Sequence, residues 1–136
     1  MYLATVYRAL WHFVTPADQD GASGLQMFFA GLDQRRQKDI AGLLAKIEHA
    51  ATDLRGPACF NDDICHKIED EIWQLSHGAL RLLFFYSGER VVVCAQGFVK
   101  KTQKTPKSMK EAARAVAAAF RKAAAQKELV FLSEQE

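Results

Sequence analysis

The sequence contains few cysteines, and those present follow no disulfide framework. Cys59, Cys65 and Cys94 are an odd number at irregular spacing, whereas small disulfide-stabilised domains carry paired cysteines at characteristic intervals. No signal peptide precedes the first predicted strand. The cysteine content therefore favours a reducing environment, and we expect the protein to be cytoplasmic.

Long apolar runs are also absent from the sequence. No stretch approaches the roughly 20 residues that a helix needs to span a bilayer, so a membrane role has no support. Hydrophobic residues make up 49% of the chain and charged residues 25%, which is the composition of a soluble globular protein. Because 136 residues suffice to bury a core without disulfides or metals, we expect one domain over residues 1–136.

Metal-ligand motifs with a recognisable spacing are missing as well. Cys59, Cys65 and His66 would offer zinc-type ligands, but their spacing matches no standard site and no fourth ligand is evident. The acidic residues between Asp62 and Glu71 have no further ligand fixed by spacing, so solvated turn residues are favoured over a magnesium site. We expect neither a metal nor another cofactor.

Acidic residues are scarce in most of the C-terminal half. Residues 81–127 contain 11 Lys and Arg against two Glu, whereas residues 1–80 contain seven Lys and Arg against 11 Asp and Glu. Such a one-sided positive field attracts polyanions, of which nucleic acid is the usual one in a cytoplasm. A merely solubilising helix is the alternative, although it would normally include interleaved acids.

The sequence is rich in strand-forming residues from Ile72 to Pro106. Glycine-containing links at 77–79 and 87–89 divide this stretch into three strands, which predicts two successive hairpins. If both loops have an even number of residues, alternate positions define two faces. The predicted core face comprises Trp73, Leu75, Leu80, Leu82, Phe84, Tyr86, Val91, Val93, Ala95 and Val99. The second face, with its polar members gathered at one end, comprises Gln74, Ser76, Arg81, Leu83, Phe85, Val92, Cys94, Gln96, Phe98 and Lys100.

The remaining segments predict helices and further strands. Residues 2–14 are typical of a first strand, and residues 129–132 of an edge strand or a loosely docked end. Apolar residues recur at helical spacing in 25–32 and 40–47, which predicts a helical hairpin over the core face. A third helix is expected from Pro106 to about Lys127, with an apolar arc and a basic stripe of Lys107, Lys110, Arg114 and Arg121. The fold class is therefore α+β: a small, mostly antiparallel sheet with helices packed on one face.

Several of these segments resemble a known family. Lys67-Ile68, then IWQL, then LRLLFFYSGERVVVCAQGFVKKTQKTP and a following helix resemble the RelE/HigB-like toxins of bacterial type II toxin-antitoxin systems, particularly their phage-associated branch. The preceding LQMFFAGLDQRRQKDI is similar to the helical region of that branch. The resemblance implies a RelE-like fold and cleavage of mRNA, often on the ribosome. It also implies a partner antitoxin, which we expect to be of the helix-turn-helix type.

The resemblance also implies site residues. By position, it assigns catalysis to Arg81, Lys100 and Lys101 and RNA contacts to Lys67 and Phe98. The basic segment adds Lys104 and the stripe Lys107, Lys110, Arg114 and Arg121 as RNA-binding candidates. Where the family usually shows Trp-Glu-Leu-Arg, this chain has Trp73-Gln74-Leu75-Ser76. The alternative is therefore a catalytically impaired module that binds RNA or a partner protein without cleavage.

RNA cleavage sets chemical requirements that the sequence meets only in part. In-line attack by a 2′-hydroxyl needs a base, an acid and cations that stabilise the developing charge. Arg81, Lys100 and Lys101 supply cations, but the four histidines form no pair, so lysines or Tyr86 would have to replace them. Phe98 is a candidate for stacking on a base, and a core position is its alternative. For Arg81 the alternative is a cross-strand salt bridge, and for the lysines it is a solvated loop.

Overall fold

The computed structural model of the protein describes residues 1–132, so the last four residues of the predicted domain lie outside the described range. Seven strands form one sheet: β1 (Tyr2–Arg8), β2 (His12–Ala17), β3 (Cys65–Glu69), β4 (Ile72–His77), β5 (Leu80–Ser87), β6 (Val91–Val99) and β7 (Val130–Phe131). Their order in the sheet is β3-β4-β5-β6-β2-β1-β7. Neighbouring strands are antiparallel except for the β2–β6 and β1–β7 pairs. The predicted α+β class with a mostly antiparallel sheet is confirmed.

Two helices cover the core face of the sheet, as predicted. They are α1 (Gly24–Ala30) and α2 (Gln37–Thr52), separated by a short 3-10 turn at Gln34–Arg36. Leu43 and Ile47 of α2 belong to the same buried cluster as Leu82 and Phe84 of β5. Leu82 is fully buried, as the assignment of faces required.

A third helix, α3 (Lys107–Ala125), packs on the second face of the sheet. Its buried residues include Ala117 and Phe120, which cluster with Leu83 and Phe85 of β5, and the rings of Phe85 and Phe120 meet edge to face at 5.5 Å. The middle of the second face is apolar, so it needs this additional cover. The polar end of that face stays open. Within residues 1–132, no helix is both long and apolar enough to cross a bilayer.

In the first part of β6, the side chains point to the opposite sheet faces from those predicted. Val91, Val93 and Ala95 were expected on the core face, but they pack in the layer of α3, whereas Val92 and Cys94 face α2. Ser87 pairs with Val91, so the loop between β5 and β6 has three residues. A loop with an odd number of residues reverses the alternation that an even loop would give.

A β-bulge at Ala95 ends this reversal. The register shifts there, so that Phe84 pairs with Cys94 but Leu83 pairs with Gln96. A bulge places two residues opposite one and therefore restores the original alternation beyond it. Gln96 and Phe98 lie on the predicted face as a result, and the site proposed there does not move.

The N-terminal segment forms a hairpin instead of the single predicted strand. β1 and β2 pair antiparallel around a turn at residues 9–11. That turn contains neither Gly nor Pro, so the sequence carries no turn signal. Trp11 holds the turn in place because its backbone N–H donates to the carbonyl of Ala51 at 3.0 Å and its indole N–H donates to the carbonyl of Leu54 at 3.2 Å. Of the two alternatives for residues 129–132, an edge strand or a loosely docked end, the structure has the edge strand, β7.

Candidate nucleic-acid interface

The open end of the second sheet face forms a polar pocket of about 170 Å³. Ser76, Arg81 and Phe98 lie in one row across β4, β5 and β6, because Ser76 pairs with Arg81 and Arg81 pairs with Phe98. The loop that follows β6 forms a second wall, and β3 adds a third. The full lining is Asp63, His66, Gln74, Ser76, Arg81, Phe98, Lys100, Thr102, Gln103, Lys104 and Thr105.

The β4–β5 hairpin positions this row of side chains. Its loop consists of Gly78 and Ala79 alone, since His77 pairs with Leu80, so it has the even number of residues that the assignment of faces assumed. Gly78 has a φ of 54°, which glycine adopts without the steric cost of a side chain. The Asp39 carboxylate of α2 accepts a hydrogen bond from the Ala79 N–H at 3.2 Å. The hairpin tip is therefore fastened to α2, and Arg81 follows directly after it.

Arg81 is a half-buried cation that the backbone holds in place. One guanidinium nitrogen donates to the carbonyls of Gly78 and Leu80, both at 2.8 Å. Burial lowers the pKa of Arg81, but a guanidinium remains charged in proteins. No carboxylate of the described chain forms an ion pair with Arg81. Its positive charge therefore remains available to an anion in the pocket.

Lys46 adds a second positive charge beside the hairpin, which the sequence did not indicate. Its ammonium group reaches from α2 and donates to the carbonyl of Ser76 at 2.9 Å. Burial, followed by the positive charge of Arg81, lowers the pKa of Lys46. Since 30 residues separate Lys46 from Ser76, only the folded chain brings them together.

His66 is the histidine that lines the pocket. It pairs with Gln74 across the β3–β4 ladder, and its Nδ1 lies 3.0 Å from the carbonyl oxygen of Asp62. A carbonyl can only accept, so Nδ1–H is the donor and the neutral ring keeps a lone pair on Nε2. The sequence pattern predicted no strand at residues 65–69, where the structure has β3. The register of an unrecognised strand is what places His66 here.

The loop at residues 100–105 is fixed at both ends. The Lys100 N–H donates to the Ala79 carbonyl at 2.7 Å, and the Thr105 hydroxyl donates to Oε1 of the buried Gln74 at 2.7 Å. Lys100, Lys101 and Lys104 are exposed between these anchors. None of the three forms an ion pair within residues 1–132. Lys100 and Lys104 line the pocket, and Lys101 lies beside them.

Two aromatic candidates are more buried than a stacking or acid-base role would favour. Phe98 lines the pocket but is only 7% exposed and belongs to the cluster under α3, so at most its edge faces a ligand. Tyr86 packs on the core face against the rings of Trp11, Trp73 and Phe84. Burial raises the pKa of Tyr86 to about 12, and it takes no part in the pocket.

Comparison with known families finds a match over much of the chain. The family model described as Phage derived protein Gp49-like (DUF891) matches residues 27–117, more than half of the chain. The chain belongs to this Gp49-like family. The family is of the RelE/HigB toxin type, and its match includes the strands and the loop that form the pocket. A comparison with curated proteins finds no match.

Lys67, which the resemblance suggests as an RNA contact, lies away from the pocket of this Gp49-like protein. Lys67 is exposed on β3 opposite Trp73, whose ring contacts Tyr86 on the core face. The pairing register therefore turns Lys67 away from His66 and the pocket.

The basic stripe on α3 is partly neutralised in the Gp49-like fold. Arg114 pairs with Glu69 and Arg121 pairs with Glu71, while Lys107 lies 3.9 Å from Glu111 one turn further on. Lys110 has no ion pair among the described residues. Two of the acids that the sequence placed in a solvated turn, Glu69 and Glu71, are thus the partners of the two arginines. Within residues 1–132 the lysines of the loop at residues 100–105 form no ion pair and line the pocket or lie beside it.

Proposed function

We propose that this Gp49-like protein is the toxin component of a type II toxin-antitoxin system and acts in the cytoplasm as an endoribonuclease on mRNA. The observation that carries the proposal is the pocket itself. It joins Arg81, Lys100 and Lys104, which have no acidic partner within residues 1–132, to a histidine with a lone pair on Nε2. Cations beside a titratable ring are the groups that phosphodiester cleavage requires.

Each residue has a role in cleavage by the neighbouring 2′-hydroxyl. His66 removes the proton of that hydroxyl through Nε2, which carries the lone pair when Nδ1–H donates to the Asp62 carbonyl. Arg81 binds the non-bridging phosphate oxygens, on which charge builds in the transition state. Lys100 and Lys104 neutralise the leaving 5′-oxygen and the flanking phosphates. An ammonium group of this lysine pair donates a proton to the leaving 5′-oxygen, so the products are a 2′,3′-cyclic phosphate and a 5′-hydroxyl. The proton of the nucleophile passes to His66, and proton exchange with water returns the lysine and the histidine to their starting forms.

Cleavage of a defined mRNA, with and without ribosomes, tests the proposal. We expect the native protein to cut the RNA and Arg81→Ala to lose at least about 100-fold in rate, the scale of one transition-state charge contact. Arg35→Ala is the matched control, since Arg35 is 78% exposed and pairs only with Asp33. Equal rates for Arg81→Ala and the native protein would contradict the assignment of the pocket. Thermal unfolding of both variants establishes that they are folded.

A catalytically impaired binding module is the second candidate function. Gln74 and Ser76 favour it, because they stand where related toxins carry a glutamate and an arginine. In that case the native protein binds RNA or a partner protein, and no cleavage product forms with or without ribosomes. RNA binding that Arg81→Ala abolishes, in the absence of any product, would select this candidate.

The toxin proposal also implies a partner protein. We propose a cognate antitoxin of the helix-turn-helix type, encoded beside this chain and neutralising its activity. Co-expression of the neighbouring reading frame tests this partnership. Recovery of a stable complex with no RNA cleavage supports it, and full cleavage activity in the presence of the neighbour opposes it.

A further inference from the structure

A cluster of three potential metal ligands lies apart from the RNA pocket. One ligand atom each of His49, Asp53 and Cys59 lie within 4.8 Å of one another. His49 lies in the last turn of α2, Asp53 follows the end of that helix, and Cys59 ends a short 3-10 helix at Gly56–Cys59. The sequence had grouped Cys59 with Cys65 and His66 instead. The fold separates that group, because His66 faces the RNA pocket.

The backbone between the three residues is held in a fixed path. The Gly56 N–H donates to the Asp53 carbonyl at 2.9 Å, and Gly56 has a φ of 61° that reverses the chain. Trp11 packs so close that a Cβ on Gly56 would lie 2.4 Å from its ring. The ring of His49 stacks near Phe60, with centroids 5.6 Å apart. Local folding therefore fixes the backbone that carries Asp53 and Cys59 next to the last turn of α2.

We propose that His49, Asp53 and Cys59 bind a divalent cation of the zinc type. A nitrogen, an oxygen and a sulfur donor together suit a borderline-soft ion, and Zn²⁺ is bound by this combination of groups. Mg²⁺ and Ca²⁺ prefer oxygen ligands and would leave the thiol and the imidazole unused. Three protein ligands leave the fourth tetrahedral position to water.

Arg55 shapes the site and limits its affinity. Its side chain donates to both oxygens of Asp53, with N–O distances of 3.1 Å, and the Arg55 N–H donates to the same carboxylate at 2.8 Å. A carboxylate has about four lone-pair positions, so a metal can bind Asp53 while these bonds persist. They fix the orientation of Asp53 as outer-shell partners do in metal sites. The guanidinium charge opposes the incoming cation.

Metal binding would join α2 to the segment that leads into β3. Asp53 and His49 come from the helix end, and Cys59 lies six residues before β3 begins. Because a metal that binds only the folded chain stabilises it by mass action, we expect zinc to raise the unfolding temperature. This effect does not depend on RNA cleavage.

Cobalt and zinc titrations of the reduced full-length protein test the site. We expect one Co²⁺ per chain, with the ultraviolet thiolate-to-cobalt absorption and the visible bands of tetrahedral coordination, and displacement of that ion by Zn²⁺. His49→Ala, Asp53→Asn and Cys59→Ala should each weaken binding by about tenfold or more. Cys65→Ala is the matched control, because it removes a neighbouring buried thiol that is outside the cluster.

The outcomes are distinguishable even if one variant folds poorly. A thiolate-to-cobalt absorption that Cys59→Ala removes and Cys65→Ala retains supports the site. The proposal is overturned if the native protein binds no Co²⁺ or Zn²⁺, or if the affinity survives in both His49→Ala and Cys59→Ala. Because His49 is exposed on the surface, we expect its substitution to preserve the fold, which circular dichroism checks.

Discussion

Gln74 and Ser76 show how single residues adapt a toxin-like site. The side-chain oxygen of Gln74 accepts the hydroxyl of Thr105, which anchors the basic loop, and the carbonyl of Ser76 accepts the ammonium group of Lys46. Both residues therefore organise cations instead of contributing charge themselves. Lys46 brings its positive charge from α2 to the backbone of Ser76, beside the pocket.

Restoring the strand arginine should strengthen the site. Ser76 is directly opposite Arg81 and lines the pocket, so Ser76→Arg places a second guanidinium within reach of the same phosphate. We expect faster cleavage than in the native protein, with Ser76→Ala as the control for loss of the hydroxyl. Cleavage rates measured at saturating enzyme check this. A rate for Ser76→Arg at or below that of Ser76→Ala would count against the proposed phosphate position.

Tyr86 makes the stability of the fold depend on pH in the alkaline range. Burial raises its pKa to about 12, above the ordinary value of about 10. Below pH 10 the phenol is protonated in both the folded and the unfolded chain, so its contribution to stability is fully present there. Between pH 10 and 12 the phenol of Tyr86 ionises in the unfolded chain but stays protonated in the folded chain. The free energy of unfolding therefore falls as the pH rises.

Tyr86→Phe should reduce this alkaline loss of stability. The substitution removes the ionisable hydroxyl and keeps the ring contacts with Trp11 and Trp73. Urea unfolding between pH 8 and pH 12 measures the effect, and the tyrosinate absorbance identifies the component that disappears. Tyr2→Phe is the control at an exposed position. The same slope of stability against pH in Tyr86→Phe and the native protein would contradict the buried phenol.

At the scale of elements, the β4–β5 hairpin tip connects α2 to the pocket. A Cβ on Gly78 would lie 2.1 Å from the Asp39 carboxylate, whereas a Cβ on Gly88 in the next loop meets open space. Both glycines have φ near 50°. A side chain at either position would therefore incur the same cost of a left-handed backbone. At Gly78 it would also clash with Asp39, whereas at Gly88 it would meet open space.

Substitution of the two glycines should separate these effects. We expect Gly88→Ala to cost about 1–2 kcal/mol in unfolding free energy, the cost of a left-handed backbone. Gly78→Ala should cost more and should also slow RNA cleavage, because Arg81 donates to the Gly78 carbonyl. Denaturant unfolding and cleavage rates measure both. Equal losses in the two variants would indicate that the contact with Asp39 has no energetic weight.

Two basic elements lie near the pocket, the loop at residues 100–105 and α3, and they differ in whether their cations form ion pairs. The loop lysines Lys100 and Lys104 have no acidic partner within residues 1–132, whereas Arg114 and Arg121 of α3 are paired with glutamates. A cation that is already paired gains less from a phosphate because it must first give up its partner. The loop should therefore dominate RNA binding.

The salt dependence of RNA affinity distinguishes the loop from the helix. Each phosphate contact on a single strand contributes about 0.7 to the slope of log K against log salt. We expect the double change of Lys100 and Lys104 to Gln to reduce the slope by about twice that amount. The double change of Arg114 and Arg121 to Gln should alter it less. If the helix variant loses the larger part of the slope, the paired arginines are the main RNA contacts.

At the scale of the whole molecule, local sequence patterns predicted much of the fold. The helical hairpin, the helix after Pro106 and a glycine-containing turn between β4 and β5 follow from periodicity and turn chemistry. The β1–β2 turn was missed because it lacks Gly and Pro, and the faces of Val91 and Val93 were wrong because a three-residue loop and a bulge reversed the strand locally. A single domain over residues 1–136 stays a prediction.

The sequence predicted only part of the candidate site, because some of its residues are brought together by contacts distant in sequence. Arg81, Phe98 and Lys100 lie on neighbouring strands of one hairpin series, so their proximity follows from alternation. His66 reaches the pocket through β3, and Lys46 reaches the Ser76 carbonyl beside it through α2. The positions of α2 and β3 depend on contacts distant in sequence. Periodicity cannot specify such contacts, because the same pattern fits many arrangements of helix on sheet.

The chemical end groups of RNA fragments test the central claim most directly. Native protein is incubated with a defined mRNA, with and without ribosomes, in parallel with His66→Ala, and the fragment ends are determined. The proposed roles of His66 and Arg81 predict 2′,3′-cyclic phosphate and 5′-hydroxyl ends from the native protein and at least about 100-fold less product from His66→Ala. Fragments ending in a 3′-hydroxyl, or no fragments under either condition, would contradict the account.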